Sequence, residues 1–502
     1  ATVPYEAIRK GADSLFNAWH AANPNDTGLA PLEKKFIRWK SLAQSRAYIV
    51  GQPSTTSISL KANMASAVGL VGYCDNGPSE NQWVSIGPNP QTGDVQAHGI
   101  INALAVHPSN ESIIYAGSEY SGLYKTTDGG QNWTNVTDSY QLPGLGVVAV
   151  AIDPLSPNVV LAGTHSQSFG YPGWLDYSTQ GIGMLRSTNG GASWSVVNFP
   201  TIGGCARIDV IRFNPQNPNT VFAAGACGIY KSTNNGVSWT QVYDNSADPI
   251  LKKVHFIDLE IGLADTSMIC ASTIKTDKID ETVKAARVFC SNDGGATFLD
   301  RTPPKACLYT TGPSDTTWYR AARSIALDIS PADSSNIYAF FGSRAGTPVV
   351  QSATLYKTSD GGQTWIEHYD HTGPSDKIVT EGWQGVNWGR YRYQFELSNV
   401  DVNKVYLGGN KMYTKNLQSD TNAWNPITEY LPVVAHHADI RAIINRGVDS
   451  LGNDRLYIAN DGGVSKTFDG GASWVDLSGN GLSISQIHGF ASWPYNDRVL
   501  MG

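Results

Sequence analysis

A short phrase that ends in an aromatic residue recurs along this chain, and its spacing limits the possible folds. It first occurs as KTTDGGQNW at residues 125–133, and we call its pattern, Ser/Thr-x-Asp/Asn-x-Gly-x-x-aromatic, the box. The copies begin at Thr126, Ser187, Ser232, Ser291, Thr358 and Thr467. Intervals of about 45 to 70 residues, with one of double length, are typical of blades built from four short strands. The sequence therefore predicts an all-β, multi-bladed β-propeller.

Each box has the composition of a tight turn. Its hydroxyl and its Asp or Asn oxygen can accept hydrogen bonds from nearby amides, and its Gly can adopt the positive φ that such turns need. The aromatic ring is expected to pack between neighbouring blades. Because Asn189 and Asn234 replace Asp and lose its charge, we interpret the box as a structural turn and not as a metal or substrate ligand.

A second recurring phrase supplies the inner strands. An apolar segment, a Pro/Asn turn and a second apolar segment ending in Gly occur at 101–117, 148–163, 210–225 and 325–342. Together the two phrases predict seven blades, at about 100–137, 146–200, 208–243, 253–300, 322–368, 394–428 and 436–477. The sixth has lost its box around Lys415 to Trp424, and a partial eighth begins at Ile487.

Residues 1–82 contain no box and predict a helical amino-terminal arm, because apolar residues recur at helical spacing. The arm either docks on the propeller or is a propeptide. The propeller is predicted over residues 83–502. Within it, Trp83 to Ile86 resembles the strand that follows each box, and we expect it to complete a last blade with residues 487–502, unless the natural chain continues.

Composition restricts the partners. The chain has 502 residues, of which 41% are hydrophobic and 16% charged, so it can bury a large core. A net charge of −7 without a basic cluster argues against nucleic acid, and no apolar run is long enough to insert into a membrane. Since the sequence opens at Ala1 without a leader, we expect a secreted or cell-surface protein whose signal peptide has been removed.

Cysteine spacing agrees with export. The six cysteines contain no CxxC motif, so metal binding by cysteine is not expected. Cys205 and Cys227 flank one predicted hairpin turn, and Cys270 and Cys290 flank another. Two such pairs favour disulfides and an oxidising location.

Several phrases resemble a known group, the secreted sortilin-like Asp-box or BNR propellers of Bacteroidetes that carry a type IX sorting domain. The resemblance runs from Trp83 to the end, through WVSIGP, GLYKTTDGGQNW, VYLGGNKMY, HHADIRAI and YIANDGGVSKTFDGGASW. It implies a secreted propeller followed by further modules, and the type IX secretion machinery as a partner.

Two related enzyme classes make different demands on the sequence. Sialidases resemble one another in an Arg-Ile-Pro segment that is absent here, so sialidase activity is not expected. Xyloglucanase-type glycoside hydrolases use one carboxylate from each of two propellers, the first in a phrase like Tyr-Ala-Arg-Thr-Asp. The phrase Tyr115-Ala-Gly-Ser-Glu119 is similar and makes Glu119 the candidate catalytic residue.

Two further clusters are candidate ligand sites. His436, His437, Asp439 and Arg441 open a predicted inner strand of the seventh blade, where alternate side chains face the central channel. Asp461 begins the turn after the next strand, so these residues can meet at that channel. Adjacent histidines face opposite ways, which leaves His437 as the candidate. These residues form either a metal or polar-ligand site or a hydrogen-bonded network. Trp383 and Trp388 can stack on sugars, whereas the aromatic residues at 391, 393 and 395 pack between blades.

Three functions remain open from sequence. The first is a secreted recognition propeller that binds protein or glycan without catalysis, and the main alternative is a glycoside hydrolase acting on β-glucan or xyloglucan-like polysaccharide. The third is a scaffold piece of a surface adhesin. One propeller fold supports many functions, so the fold does not choose among them. We expect no cofactor in any of these cases.

The cysteine pattern is directly testable. Peptide mapping without reduction should recover Cys205 linked to Cys227 and Cys270 linked to Cys290, because residues paired across a hairpin bring their Cβ atoms within disulfide range. Free thiols at these four positions would contradict the assignment.

Overall fold

The computed structural model describes residues 99–138, 145–166, 182–197, 199–200, 207–244, 254–275, 286–304, 324–345, 350–371, 393–409, 411–418, 424–428, 439–482, 484, 490–493 and 498–501. These residues form antiparallel β-structure, which confirms the predicted β-propeller. Residues 1–82, predicted as a helical arm, and Trp83 to Ile86, predicted as a strand, lie outside the described residues. In the described part of the chain, no helix is long and apolar enough to cross a membrane.

Seven four-stranded antiparallel blades account for most of the described strands, and they fall in the seven predicted segments. Blade 1 contains β1 (Ile101–Val106), β2 (Ile114–Ser118), β3 (Leu123–Thr126) and β4 (Thr134–Asn135). Blade 2 contains β5 (Leu145–Ile152), β6 (Val160–Ser166), β7 (Met184–Ser187) and β8 (Ser195–Val197). Blade 3 contains β9 (Ile208–Phe213), β10 (Val221–Gly225), β11 (Gly228–Ser232) and β12 (Thr240–Asp244).

The next blades repeat this order. Blade 4 contains β13 (Val254–Ile261), β14 (Ile269–Lys275), β15 (Val288–Ser291) and β16 (Leu299–Asp300). Blade 5 contains β17 (Ser324–Ile329), β18 (Ile337–Ala345), β19 (Val350–Thr358) and β20 (Ile366–His371). Among the described residues, one bridge, Ile274 to Ser324, joins the second strand of blade 4 to the first strand of blade 5.

The last two blades and a hairpin complete the described strands. Blade 6 contains β21 (Gln394–Leu397), β22 (Lys404–Gly408), β23 (Met412–Asn416) and β24 (Asn425–Pro426). Blade 7 contains β25 (Ala442–Val448), β26 (Asp454–Asn460), β27 (Gly463–Thr467) and β28 (Val475–Asp476). The hairpin consists of β29 (Phe490–Trp493) and β30 (Arg498–Met501).

The boxes are the turns between third and fourth strands, as predicted. In blade 1 the Thr126 hydroxyl donates to Asp128 Oδ1 (2.7 Å) and accepts from the Gly130 amide (3.0 Å). The same two contacts recur in the other boxes, including those with Asn. Gly130 has φ of 94°, a conformation that a side chain disfavours. The Asp or Asn oxygen of each box is therefore engaged by its own turn.

A cation before the box connects each of the first blades to its successor. Lys125 Nζ donates to the Gly190 carbonyl of blade 2 (2.7 Å), and Lys231 Nζ donates to the Gly294 carbonyl of blade 4 (2.7 Å). Arg186 reaches the Asn235 carbonyl in the same way (3.0 Å). The box turn of one blade thus accepts a charge-assisted hydrogen bond from the blade before it.

The hydrophobic core lies between blades, because each large cluster of buried residues combines two neighbours in the ring. The cluster that joins blade 7 to blade 1 contains Ile101, Trp133, Tyr457, Leu477 and Ile484, among others. First strands contact first strands around the ring, and β1 contacts β25 and β26. Blade 7 therefore packs directly on blade 1.

Ring closure uses the segment after blade 7, a device that sequence reasoning did not find. The Gly479 amide donates to the Gly130 carbonyl (3.0 Å), and the Asn480 amide donates to the Gln131 carbonyl (2.9 Å). The Trp133 indole N–H donates to the Leu477 carbonyl (2.8 Å). Closure through these contacts does not require a strand at Trp83 to Ile86, whose position stays a prediction.

Disulfide pairing is confirmed for one predicted pair. Cys270 and Cys290 lie opposite each other in the β14–β15 register and form a disulfide. Cys227 is also disulfide-bonded, but Cys205 lies outside the described residues. The link between Cys205 and Cys227 therefore stays a prediction.

The closure also contains an ion pair, which can be tested by mutation. Glu111 in blade 1 accepts from Arg455 (2.7 Å) and from the Tyr457 hydroxyl (2.9 Å) in blade 7. We expect Glu111→Ala to lower the free energy of unfolding by about 1–3 kcal/mol, since the buried Tyr457 hydroxyl and the partly exposed Arg455 guanidinium lose their acceptor. Urea denaturation measures it, and Thr134→Ala on the exposed strand β4 is the control. Equal stability of the two variants would contradict this role for Glu111.

Candidate functional site

The two ends of the blades carry different chemistry. First strands begin where second strands end, as the pairing of Ile101 with Ser118 shows, and we call this end the site face. The box follows the third strand, which is parallel to the first, so the boxes lie at the opposite end. Glu119 comes directly after β2 and therefore belongs to the site face. The candidate catalytic residue and the structural box turns thus lie at opposite ends of the strands.

Glu119 is held by its own blade. Its amide donates to the Ile100 carbonyl (3.2 Å), and the side-chain amide of Asn102 donates to its Oε2. Because Asn102 lies on the first strand and Glu119 follows the second, both backbone and carboxylate are fixed by neighbouring strands. The candidate carboxylate is therefore positioned before any ligand arrives.

Asp439, Arg441 and Asp461 come together as the sequence predicted, whereas His437 lies outside the described residues. Arg441 donates from Nε to Asp461 Oδ1 (2.7 Å) and from Nη2 to Oδ2 (3.0 Å). Burial alone would lower the pKa of Arg441, but the negative charges of Asp461, Asp439 and Glu119 more than offset it and raise that pKa. Arg441 thus links the blade 7 carboxyl groups electrostatically to Glu119 of blade 1.

Asp439 is the proton-holding member of this group. Burial, followed by the negative charge of Asp461, raises its pKa to about 7, and the opposing effect of Arg441 is smaller. Its φ of 64° is unusual for a residue with a side chain. Strain of this kind persists where the surrounding structure imposes it, often at functional sites. A carboxyl group that changes protonation near neutrality can act as a general acid.

Glu119 and Asp461 occupy equivalent positions in adjacent blades. Each directly follows the second strand, after Ser118 in β2 and after Asn460 in β26. Since blade 7 packs on blade 1, the repeat itself places one carboxylate from each blade at the closure seam on the site face.

Sequence reasoning missed four charged or titratable residues on the site face, contributed by blades 2, 3 and 4. They are His165, Arg207, Asp209 and His255. Arg207 Nη2 donates to Asp209 Oδ1 (2.8 Å), and the Asp209 side chain is fully buried. Burial is the main reason that the pKa of each histidine falls to about 4. The sequence feature that could have identified them is their position in the repeat. Each lies near the start of the first strand or the end of the second strand of its blade.

Other sequence candidates do not join this group. Among the described residues, no three His, Cys, Asp or Glu side chains are placed to hold a metal ion. Trp383 and Trp388 lie outside the described residues, so their sugar-stacking role stays a prediction. Tyr393 and Phe395 are buried, in agreement with their predicted packing role.

A second set of carboxyl groups lies further along the first strands. Asp258 Oδ2 accepts from the Leu327 amide (3.0 Å), and Asp328 Oδ2 accepts from the Leu397 amide (2.8 Å). Each bond connects a first strand to the next blade. Burial raises the pKa of Asp328 well above its ordinary value. We assign these groups to inter-blade bonding because their oxygens are used by backbone amides.

Comparison with known proteins gives distant relatives. No family model matches the chain. A xyloglucanase of Hypocrea jecorina (strain QM6a) is 27% identical over 331 residues, which cover 53% of this chain and 38% of that enzyme. The match thus spans well under half the length of this curated relative.

The similarity to solved structures is also low. An ancestral GH74 enzyme has a TM-score of 0.46 at 17% identity, with 76% of this chain and 49% of that chain covered. YCF48 from Cyanidioschyzon merolae has a TM-score of 0.45 at 14% identity, with 75% and 98% covered. At these scores the likenesses have no bearing on activity.

The protonation of Asp439 predicts a pH-dependent stability. A folded-state pKa raised from about 4 to about 7 gives stability that is complete below pH 4 and is lost as pH rises through 7. Asp439→Asn removes this loss and tolerates the positive φ. Between pH 5 and pH 8, we expect the wild type to lose roughly 1–3 kcal/mol more unfolding free energy than Asp439→Asn, after allowance for partial exposure.

The control is Asp449→Asn, in an exposed turn where hydrogen bonds from Asn453 lower the pKa of Asp449. That carboxylate stays ionised from pH 5 to pH 8, so the control should follow the wild-type slope. Parallel slopes for wild type and Asp439→Asn in urea denaturation would show that Asp439 does not titrate in this window.

Proposed function

We propose that this propeller is part of a glycoside hydrolase that acts on β-glucan or xyloglucan-like polysaccharide, with Glu119 as one of its reacting carboxyl groups. The observation that carries the proposal is the placement of Glu119 on the site face, fixed by blade 1 and within the electrostatic field of Arg441. The sequence similarity to a fungal xyloglucanase supports the substrate class.

Hydrolysis of a glycosidic bond needs two carboxyl groups, one of which donates a proton. Resemblance to two-propeller enzymes implied that the second would come from another propeller. Asp439 offers a candidate within this chain, because burial and Asp461 keep its pKa near 7. In this proposal Asp439 donates its proton to the leaving oxygen as the bond from that oxygen to the anomeric carbon breaks. Glu119 accepts a proton from the water molecule that attacks the same carbon.

A recognition propeller without catalysis is the second candidate. The specific observation in its favour is the bidentate pairing of Arg441 with Asp461, which satisfies both charges within the protein. Such a network can orient hydroxyl groups of a glycan without reacting with it. Binding of polysaccharide without turnover is the result that would favour this function.

Export is a further proposal. The Cys270–Cys290 disulfide supports an oxidising compartment, since structural disulfides are rare in the reducing cytosol. Secretion by the type IX machinery, and attachment at the cell surface, depend on the family resemblance of the sequence phrases. Detection of the protein outside the cell, and its loss from that fraction when the type IX machinery is disabled, would test both.

The hydrolase proposal predicts release of reducing ends from xyloglucan or mixed-linkage glucan by the wild-type chain. Glu119→Gln and Asp439→Asn should each lower kcat by roughly 10²–10⁴-fold, the usual contribution of a reacting acid or base. Asp449→Asn is the matched control and should retain wild-type turnover. Polysaccharide binding by affinity electrophoresis, with no reducing-end release, would replace the hydrolase by the recognition propeller.

A further inference from the structure

The ring of His165 lies against the backbone of Glu119. In the β5–β6 register His165 is opposite Gly146. A Cβ atom built on Gly146 would overlap both the imidazole Nε2 of His165 and the carbonyl oxygen of Glu119. The three groups therefore meet at one point between blades 1 and 2. The glycine leaves the space that the imidazole fills.

His165 is buried without ordinary hydrogen-bond partners. Only 1% of its surface is exposed, and within the described part of the chain neither ring nitrogen makes a hydrogen bond of normal geometry. An unpaired buried donor or acceptor is costly and calls for an explanation. A hydrophobic residue would fill the same space at lower cost, so packing alone does not account for an imidazole here.

The charges around the ring favour its neutral form. Burial and the positive charge of Arg207 lower the pKa of His165, while Glu119, through its charge and its carbonyl, and Asp209 raise it, and the balance is about 4. Near neutral pH the ring is therefore an uncharged donor and acceptor beside the Glu119 carbonyl. It can support that carbonyl without adding a competing cation next to the Glu119 carboxylate.

Blade 1 restrains Glu119 from the other side. The Ile100 carbonyl accepts from its amide (3.2 Å), and Asn102 binds its carboxylate. The carbonyl of Glu119 lies against His165, so this contact limits movement of the Glu119 Cα atom, from which the side chain starts. A shift of that atom would displace the carboxylate relative to Arg441.

We propose that His165 is a positioning residue, whose ring supports the Glu119 carbonyl and thereby fixes the direction of the Glu119 carboxylate. This role rests on the proposed function of Glu119. His165 belongs to blade 2, so the reacting group of blade 1 is held by two blades. Movement at the seam between blades 1 and 2 would then reduce activity without removing any reacting group.

The test compares kcat and KM on xyloglucan for His165→Ala, His165→Gln and Gly146→Ala. A misdirected carboxylate should lower kcat about 10- to 100-fold in His165→Ala and leave KM within about threefold, since small displacements affect the reacting geometry most. His165→Gln, which retains a donor, should recover part of the loss. Gly146→Ala displaces the ring without removing it and should also lower kcat.

His368→Gln is the control. His368 lies on β20, the fourth strand of blade 5, a blade that does not adjoin blade 1, and burial is the main reason that its pKa is also lowered. It should change kcat by less than about twofold if position relative to Glu119 is what matters. A folded His165→Ala with near wild-type kcat, or equal losses in the His368 variant, would overturn the proposal.

Hydrogen exchange separates failure of this proposal from failure of the proposed function. If the wild type releases no reducing ends, the hydrolase proposal fails, but the contact can still be examined at the Glu119 amide. In His165→Ala this amide should exchange at least about tenfold faster, because its bond to Ile100 opens more often. The Trp133 amide, bonded to the Asn480 carbonyl, should not change. Unchanged exchange at Glu119 would refute the positioning role.

Discussion

The pairing of the segment after blade 7 with the box of blade 1 is the contact on which the ring depends. Without it, blade 7 and blade 1 would each expose an apolar face and a row of backbone groups. Three closure contacts, from Gly479, Asn480 and Trp133, satisfy those groups. The buried Tyr457 and Leu477 then complete a core with Ile101. Closure also determines which blades are neighbours, and so it brings Asp461 to the same seam as Glu119.

Polar groups inside the ring follow two different arrangements. Asp258 and Asp328 accept from backbone amides of the next blade, so their role is to connect first strands. On the site face the partners are side chains instead: Asn102 for Glu119, Arg441 for Asp461, and Asp461 for Asp439. Burying charge is costly unless it is paired. The ion pair of Arg441 with Asp461 reduces the free-energy cost of burying these two charges. Asp439 avoids the cost when it is protonated, which its raised pKa favours.

Much of the fold was predictable because its signals are local. The box turn depends on contacts within about five residues, so its pattern in the sequence is sufficient to identify it. The phrase of two apolar segments located the blades for the same reason. The Cys270–Cys290 disulfide was predicted because the two cysteines flank one turn. The site was predictable in part. The proximity of Asp439, Arg441 and Asp461 was predicted from their positions around two strands of blade 7, whereas Glu119 was a candidate because its phrase resembles one of xyloglucanase-type enzymes. Sequence alone did not show that burial raises the pKa of Asp439.

The sequence by itself determined the repeated unit, the approximate boundaries of the blades and the end of the blade where polar residues collect. Only the tertiary structure decided how the ring closes and which groups meet on the site face. His165 contacts Glu119 across a seam between blades, and Gly146 leaves the space for it, yet neither residue belongs to a local motif. Such contacts depend on the packing of strands distant in sequence, and burial by that packing changes the pKa of Asp439 and of His165. A linear pattern does not record that burial.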